Sequence, residues 1–340
     1  MKTDCIADSE TLATLVSFII IGRNEGWRLE LCLKSTLKAI KECQLNAEII
    51  YVDSNSTDNS IEIVQQFPSV KAFVITDHYN AAIARNIGVK ESKGESLIFL
   101  DGDMEVSTHF LSLILDACGH LKYAFVSGNF MNYYYNDQGE FLRKDFYRKI
   151  YVEKDTIQFT TGGLFAIKRM HWMAVGGMKN KYKKGQDLDL GYRLAKKGIP
   201  LLRKKELMAY HHTVDYKDKK RMWRSFKDGS YVFPRAILYR DHWCNIYVLK
   251  RVLTSDPTWI VLLFMLIVIV CLKSVWPLLL YGLLTAFAVL FSMRKSGFRG
   301  YFSRLVNHIL RDLLNLFTLF FFYPSNHIEF HYKQVNGEQK

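Results

Sequence analysis

The chain has 340 residues, a formal net charge of +13 and 49% hydrophobic residues, which is enough for one good-sized core and a second region. The excess of Lys and Arg indicates a polyanionic partner, which is a nucleic acid, a nucleotide or an anionic membrane surface. The six Cys are scattered, which argues against a zinc site or a disulfide scaffold and favours reduced, cytosolic thiols. Residues 1–14 are polar and acidic, so we expect no secretory signal.

The first hundred residues predict strands that alternate with helices. Short apolar runs at 16–21, 48–52, 70–75 and 97–100 are typical of buried strands. The segments between them, such as 27–42, carry apolar residues at helical spacing. This alternation predicts an α/β domain with a Rossmann-like, mostly parallel sheet, whose ligand loops lie beyond the carboxyl ends of the strands.

Acidic residues follow two of these strands at the point where each strand ends. Asp53 follows the second strand, and Asp101 and Asp103 follow the fourth, with Gly102 between them. Two carboxylates with a small residue between them suit Mg²⁺ or Mn²⁺, which usually takes one or two protein carboxylates together with the phosphates of its substrate. The alternative is an Asp-Gly turn in a surface loop, and this motif alone does not decide between the two.

Two common nucleotide-binding motifs are missing from the sequence. No Gly-x-Gly-x-x-Gly follows the first strand, and no Gly-x-x-x-x-Gly-Lys-Ser/Thr occurs anywhere. Their absence argues against a dinucleotide oxidoreductase and against a P-loop NTPase. Phosphates that bind here would have to be neutralised by a metal and by basic side chains. Arg85 is a candidate either to reach a diphosphate or to brace an aspartate.

Six motifs, in this order, resemble those of family 2 glycosyltransferases, which have the GT-A fold. They are 20–25 (IIGRNE), 52–58 (VDSNSTD), 84–88 (ARNIG), 99–103 (FLDGD), 161–167 (TGGLFAI) and 185–194 (GQDLDLGYRL). The resemblance covers about residues 16 to 212. It implies an inverting transferase that takes a sugar from a nucleotide-sugar donor.

The resemblance also implies roles for individual residues. Asp187 would be the catalytic base, with Asp189 as the fallback. The donor-binding residues would be Asn24, Glu25, Asp53, Arg85 and Asp101. The acceptor-binding residues would be Gly162, Gly163 and Asp189.

For the metal we select Asp101, Asp103 and one histidine of the adjacent pair His211 and His212. Neighbouring residues on a strand point to opposite faces, so at most one of these histidines faces the site, and we select His212. The alternative is an ordinary histidine at the edge of the core or one that contacts a phosphate.

The sequence departs from the family pattern in three places. The usual Glu before the catalytic Asp is Gln186, and the usual Pro-x-Tyr-Asn segment is IGRN at 21–24. The Gln-x-x-Arg-Trp segment of processive synthases is absent, and residues 220–223 (KRMW) only partly match it. We therefore expect transfer of a single sugar.

The composition changes after Pro257. Residues 259–272 and 275–293 are almost wholly apolar, which predicts a transmembrane hairpin, although the first run is short for a span. The alternative is a buried helical hairpin in a soluble core. We divide the chain into a GT-A domain (1–215), a basic and aromatic juxtamembrane segment (216–256), the hairpin (257–293), and an amphipathic interfacial helix with a tail (294–340). Part of this last segment is apolar enough for a third span.

The juxtamembrane segment mixes cations with aromatic rings. Such a mixture can bind single-stranded nucleic acid, but its place before the apolar runs favours a lipid interface and no nucleic acid. We assign Arg221 and Arg224 to a lipid-linked acceptor, either polyprenyl phosphate or a polyprenyl-diphosphate glycan.

Nucleotide-sugars are cytosolic, and basic residues flank the hairpin. We therefore expect a multi-pass protein of the inner (plasma) membrane with its catalytic domain in the cytosol. The competing function is a non-catalytic, nucleotide-binding membrane scaffold, in which Asp187 can be replaced without harm.

Overall fold

The computed structural model of the chain describes residues 14–136, 138–215, 235–255, 257–293 and 300–336. Arg221 and Arg224 lie outside these residues. The chain divides into two compact units. The first unit comprises Met1–Lys219 and Ser325–Lys340, and the second comprises Lys220–Pro324.

The first unit begins with the predicted alternation of strands and helices. Its elements are β1 (Val16–Gly22), α1 (Trp27–Glu42), β2 (Ala47–Asp53), α2 (Ser60–Gln65), β3 (Val70–Ile75), α3 (Ala81–Glu91) and β4 (Ser96–Asp101). Side chains of β1 alternate between the two faces of the sheet, so Phe18 and Ile20 join one buried cluster and Ile19 and Ile21 the other. These strands are apolar on both faces because both faces are covered.

The rest of the first unit extends the same sheet. Its elements are β5 (Met104–Val106), α4 (Thr108–Ile114), β6 (Phe125–Tyr135), β7 (Phe141–Phe146), β8 (Thr156–Gln158), β9 (Phe165–Lys168), α5 (Arg169–Ala174), α6 (Gln186–Lys196), β10 (Leu201–Val214) and β11 (Tyr332–Asn336). The strand order is β11-β3-β2-β1-β4-β9-β6-β10-β5, with β7 beside β6 and β8 beside β10.

The sheet is mixed rather than mostly parallel, which corrects the prediction. Strands β3, β2, β1 and β4 are parallel to one another, and β10 is parallel to β6. Strand β9 runs antiparallel to both β4 and β6, and β5, β7, β8 and β11 are antiparallel to their partners. The α/β class and its Rossmann-like first half are confirmed.

Strand β11 is a feature that the sequence analysis did not predict. It follows the second unit along the chain and pairs antiparallel with β3 at the edge of the sheet. An ion pair between His331 Nδ1 and Asp77 Oδ2 (2.7 Å) lies at the start of this pairing. The end of the chain that we expected to be a tail therefore contributes a strand to the first unit.

The described part of the second unit is helical. Its helices are α7 (Arg235–Asp241), α8 (Ile246–Ser255), α9 (Thr258–Leu272), α10 (Trp276–Met293) and α11 (Tyr301–Phe321). Among the described residues, α10 is the one helix that is long and apolar enough to cross a membrane by itself. Helix α9 has 15 residues, and it counts toward a second candidate only if it forms one span with α8, from which it is bent by 83°.

Helix α11 is amphipathic, as predicted, but its polar side packs inward. Asp312, Asn315 and Thr318 are buried, whereas Phe317 and Phe321 are exposed. The Tyr281 hydroxyl of α10 donates to Asp312 Oδ2 at 3.0 Å. We had expected the polar side of this helix to face lipid headgroups, and the structure places much of it against other helices instead.

Candidate active site

The site lies at the edge of the sheet where β1, β2 and β4 end. In the strand register Gly22 pairs with Asp53, and Ile21 pairs with Asp101, so the ends of the three strands are level. The loops that follow these strands bring Asn24, Glu25 and Asp103 to the same edge. The spacing of the motifs alone could place these side chains here, because carboxyl ends of parallel strands share one edge.

Asp101 is held by a buried arginine. Arg85 Nη2 lies 2.6 Å from Asp101 Oδ1, and Arg85 is only 3% exposed. Although a third of the Asp101 side chain (35%) is accessible, desolvation raises the pKa of this carboxyl to about 6, with Arg85 opposing the change. Of the two roles considered for Arg85, the structure has it bracing the aspartate.

The predicted acceptor segment lies directly against this aspartate. A Cβ atom added to Gly163 would lie 2.1 Å from Asp101 Oδ2, so only glycine fits here. The neighbouring Gly162 has φ +71°, a backbone conformation that favours glycine. Both glycines therefore shape the wall of the site beside Asp101.

Asp103 lies beside His211, and not beside the His212 that we selected. His211 Nε2 is 3.1 Å from Asp103 Oδ2. His212 makes its ring contacts elsewhere, with the Tyr135 hydroxyl at 2.8 Å and with Glu105 Oε1 at 2.5 Å. Adjacent side chains of a strand point to opposite faces, and here it is His211 that shares a face with Asp103.

Glu25 adds a third carboxyl to this group. Burial and the nearby Asp103 raise the pKa of Glu25 to about 8, against the opposing charge of Arg28, whose Nη2 is 3.0 Å from Glu25 Oε2. A Cβ atom on Gly102 would lie 3.1 Å from the Glu25 Cγ atom. Small size at position 102 therefore lets the β1 loop pack on the Asp101–Asp103 turn.

Asn24 and Asp53, two of the predicted donor-binding residues, hold the loops after β1 and β2 together. Asn24 Oδ1 accepts a hydrogen bond from the backbone N–H of Thr57 at 2.8 Å, and the backbone N–H of Asn24 donates to Ser56 Oγ at 2.8 Å. Asp53 is fully buried, and its oxygens accept from Tyr51 at 2.8 Å and from Ser56 at 2.6 Å. In the structure these side chains build the loop, and their contact with a donor stays a prediction.

Arg23 takes the position of the missing Tyr in the Pro-x-Tyr-Asn segment. Its guanidinium carbon lies 4.3 Å from the centre of the Tyr79 ring, in the loop after β3. A stacked cation and ring at this edge of the sheet offer a flat surface. Tyr79 is not predictable from the sequence as a site residue, because no motif marks it.

The two acids in the first turn of α6, Asp187 and Asp189, lie in different environments. Asp187 is partly exposed and accepts a hydrogen bond from the Thr160 hydroxyl. Asp189 is fully buried, with Arg193 Nη2 at 2.6 Å and Lys179 Nζ at 3.6 Å. Of the two, Asp187 is the accessible acid, whereas Asp189 pairs with cations inside the fold.

A divalent cation fits the residues at the strand edge. Asp103 Oδ1 is buried and has no hydrogen-bond partner among the described residues, and a buried carboxylate oxygen without a partner is costly. No three His, Cys, Asp or Glu side chains within the described ranges already form a metal-binding cluster. Two carboxylates and a histidine would suffice if phosphates complete the coordination.

The comparisons with known proteins agree with this fold. Residues 17–175 match the family model described as "Glycosyl transferase family 2". Glycosyltransferase GlyG of Streptococcus pneumoniae is 32% identical over 126 residues, which are 36% of this chain and 41% of that protein.

The names of two further relatives include the acceptor of the transferred sugar. The undecaprenyl-phosphate 4-deoxy-4-formamido-L-arabinose transferase of Proteus mirabilis is 28% identical over 26% of this chain and 29% of that protein. The UDP-Glc:alpha-D-GlcNAc-diphosphoundecaprenol beta-1,3-glucosyltransferase WfaP of Escherichia coli is 34% identical over 26% of this chain and 35% of that protein. The matches thus span less than half the length of each relative described.

Among solved structures, the mannosyltransferase PcManGT from Pyrobaculum calidifontis has a similar fold. It was solved in complex with GDP-Man and Mn²⁺, and the likeness has a TM-score of 0.55 at 17% identity. It covers 94% of this chain and 91% of that one. At this identity the likeness establishes the fold, which is GT-A.

Proposed function

We propose that the chain acts as a family 2 glycosyltransferase and transfers one sugar from a nucleotide-diphosphate sugar to a lipid-linked acceptor with inversion at the anomeric carbon. The acceptor is polyprenyl phosphate or a polyprenyl-diphosphate glycan. One observation carries the proposal. Asp103 has one buried oxygen, Oδ1, with no hydrogen-bond partner among the described residues, and its other oxygen, Oδ2, lies 3.1 Å from His211 Nε2, close to Asp101 at the end of β4.

The leaving nucleoside diphosphate requires charge stabilisation. Asp101, Asp103 and His211 would hold Mg²⁺ or Mn²⁺, and the bound cation would neutralise the charge that builds on the leaving phosphate. The complex of PcManGT contains Mn²⁺ and GDP-Man, which supports this assignment by analogy of fold. Arg85 keeps Asp101 in place, and Gly163 leaves room for it.

When the acceptor is a polyprenyl-diphosphate glycan, the attacking group is a sugar hydroxyl, and its proton requires a base. Polyprenyl phosphate would attack through a phosphate oxygen that is already ionised. Asp187 is the partly exposed acid at the start of α6, and one of its oxygens is held by Thr160. It would accept the proton of the acceptor hydroxyl as the bond to the anomeric carbon forms and the bond to the leaving phosphate breaks. One displacement from the opposite side inverts the configuration.

The lipid acceptor is supported by the names of two relatives and by the apolar helix α10. Strand β10 precedes the second unit along the chain and strand β11 follows it, and both strands belong to one sheet. They must lie on the same side of any membrane, so the chain between them crosses an even number of times. We therefore place a hairpin of α9 and α10 in the inner membrane, with the sheet in the cytosol.

The test is sugar transfer into a lipid fraction. Membranes that contain the full chain are incubated with radiolabelled nucleotide-sugars of several types, with Mn²⁺ and with either polyprenyl phosphate or a polyprenyl-diphosphate glycan, and the organic phase is counted. With the wild-type chain we expect label from one donor. When the labelled acceptor is the glycan, Asp187→Asn should give almost no label, because its hydroxyl nucleophile needs the base. No label above that of membranes without the chain would favour the non-catalytic scaffold, and equal labelling of a glycan acceptor by the two proteins would remove Asp187 from the chemistry.

A further inference from the structure

Arg203 is a buried cation in the middle of the first unit. Its side chain on β10 is 0% exposed, and no carboxylate lies within ion-pair distance of it among the described residues. Burial lowers the pKa of Arg203 to about 9, and the charge of Asp187 opposes this change. A buried guanidinium without a paired acid is expensive for the fold, so its hydrogen bonds indicate what it is for.

The hydrogen bonds of Arg203 converge on the wall of the candidate site. Its five N–H groups donate to oxygens in two segments, residues 127–128 and residues 158–161. The acceptors are Gln158 Oε1 (3.0 Å), Ser127 Oγ (2.7 Å) and the carbonyl oxygens of Gly128 (2.8 Å), Thr160 (2.6 Å) and Thr161 (3.1 Å). The arginine thus fixes the backbone at Thr160 and Thr161.

Thr160 connects this fixed backbone to Asp187. Its carbonyl accepts from Arg203, and its hydroxyl donates to Asp187 Oδ2. Asp187 Oδ1 makes no hydrogen bond to any described residue, which leaves this oxygen for a substrate hydroxyl. Helix α6 is also packed closely on this segment, because a Cβ on Gly191 would lie 1.9 Å from the Phe159 carbonyl oxygen.

We propose that Thr160, held in place by Arg203, is a positioning residue that turns Asp187 so that its Oδ1 atom meets the acceptor hydroxyl. This inference rests on the proposed function, in which Asp187 is the base. A carboxylate fixed at one oxygen presents the other in a single direction. A misplacement of about 1 Å at a reacting group can cost on the order of 100-fold in rate.

The test removes the Thr160 hydroxyl in two backgrounds. Thr160→Val and Thr160→Ser are made in the full-length wild-type chain and in Asp187→Asn, and kcat and the donor KM are measured with lipid acceptor. We expect Thr160→Val to lower kcat by about 10- to 100-fold with the donor KM within twofold. Thr160→Ser keeps the hydroxyl, so it should stay within about threefold of wild type.

The Asp187→Asn background separates positioning from general damage. With the base already removed, Thr160→Val should cost less than twofold more, because the two residues act through one interaction. Thr160→Ala, which also lacks the hydroxyl, is made in parallel in case Thr160→Val disturbs folding. The kcat comparison uses whichever of the two variants keeps the wild-type Tm.

Equal losses in both backgrounds, or a kcat near wild type for Thr160→Val, would overturn the inference. Full activity of Asp187→Asn alone would instead overturn the proposed function.

Discussion

Asp103 and His211 form the part of the site whose surroundings most favour a cation. The unpartnered Oδ1 of Asp103 is buried, and Oδ2 is 3.1 Å from His211. Asp103→Asn should lower transfer by about 100-fold or more, because an amide is a weaker ligand for a hard cation. Chelation should abolish activity, and Mn²⁺ or Mg²⁺ should restore it. Full activity in excess chelator would remove the metal from the mechanism.

The two adjacent histidines allow a matched comparison. His211→Ala should raise the Mn²⁺ concentration for half-maximal activity by about 10- to 100-fold. His212→Ala should change this concentration far less, because His212 bonds to Glu105 and Tyr135. Metal titrations of the two variants check this. A larger shift for His212→Ala would restore the original choice of ligand.

Asp187 and Asp189 should fail in different ways. Asp187→Asn should lower kcat by about 100- to 10,000-fold, because an amide cannot accept the proton, with donor binding retained. Asp189→Asn should instead destabilise the fold by about 3–5 kcal/mol, because it leaves Arg193 without its buried partner. Rates and Tm measured on both variants check this. A well-folded but inactive Asp189→Asn would make Asp189 the base.

For single residues, the sequence predicted which acidic side chains lie together at the strand edge, but not which residues hydrogen-bond to them. Acids that follow parallel strands must share an edge, so motif spacing alone located Asp53, Asp101 and Asp103. It could not choose between His211 and His212, because strand periodicity places one on each face without saying which face is the site. Thr160 and Arg203 are 43 residues apart and belong to no motif.

Strand β11 is the element that most changes the architecture. It is held to β3 by backbone pairing and by His331 with Asp77, both exposed. Accepting hydrogen bonds from His331 lowers the pKa of Asp77 to about 2. His331→Ala should speed hydrogen exchange of the β11 amides by about two- to fivefold, as befits an exposed pair. His327→Ala is the matched control, and equal exchange in both variants would show that the pair does not hold the strand.

Elements were predictable where their pattern is local. The helix from Trp27 to Glu42 and the strand from Val70 to Ile75 have the predicted bounds, because apolar spacing alone determines them. β11 is short and polar, and its partner strand lies more than 250 residues earlier, so no local pattern marks it. For the helix from Tyr301 to Phe321, periodicity indicated two faces but not which one would pack inward.

At the scale of the whole molecule, the account requires two membrane crossings. Helix α9, with 15 residues, is about 22 Å long against a hydrocarbon core of about 30 Å, so it would tilt or thin the bilayer. After the native cysteines are replaced by serine, a cysteine at Ser274 should react with an impermeant thiol reagent in intact cells, and one at Ser296 should not. The reverse pattern would separate the catalytic domain from its donor.

The anomeric configuration of the product reports the mechanism of the whole enzyme. The proposed reaction is a single displacement, with Asp187 on one side of the anomeric carbon and the leaving diphosphate on the other. The most direct test is the anomeric configuration of the transferred sugar, read by NMR from the first product formed from the donor that supports transfer. Inversion relative to the nucleotide-sugar is the predicted result, and retention would contradict the account.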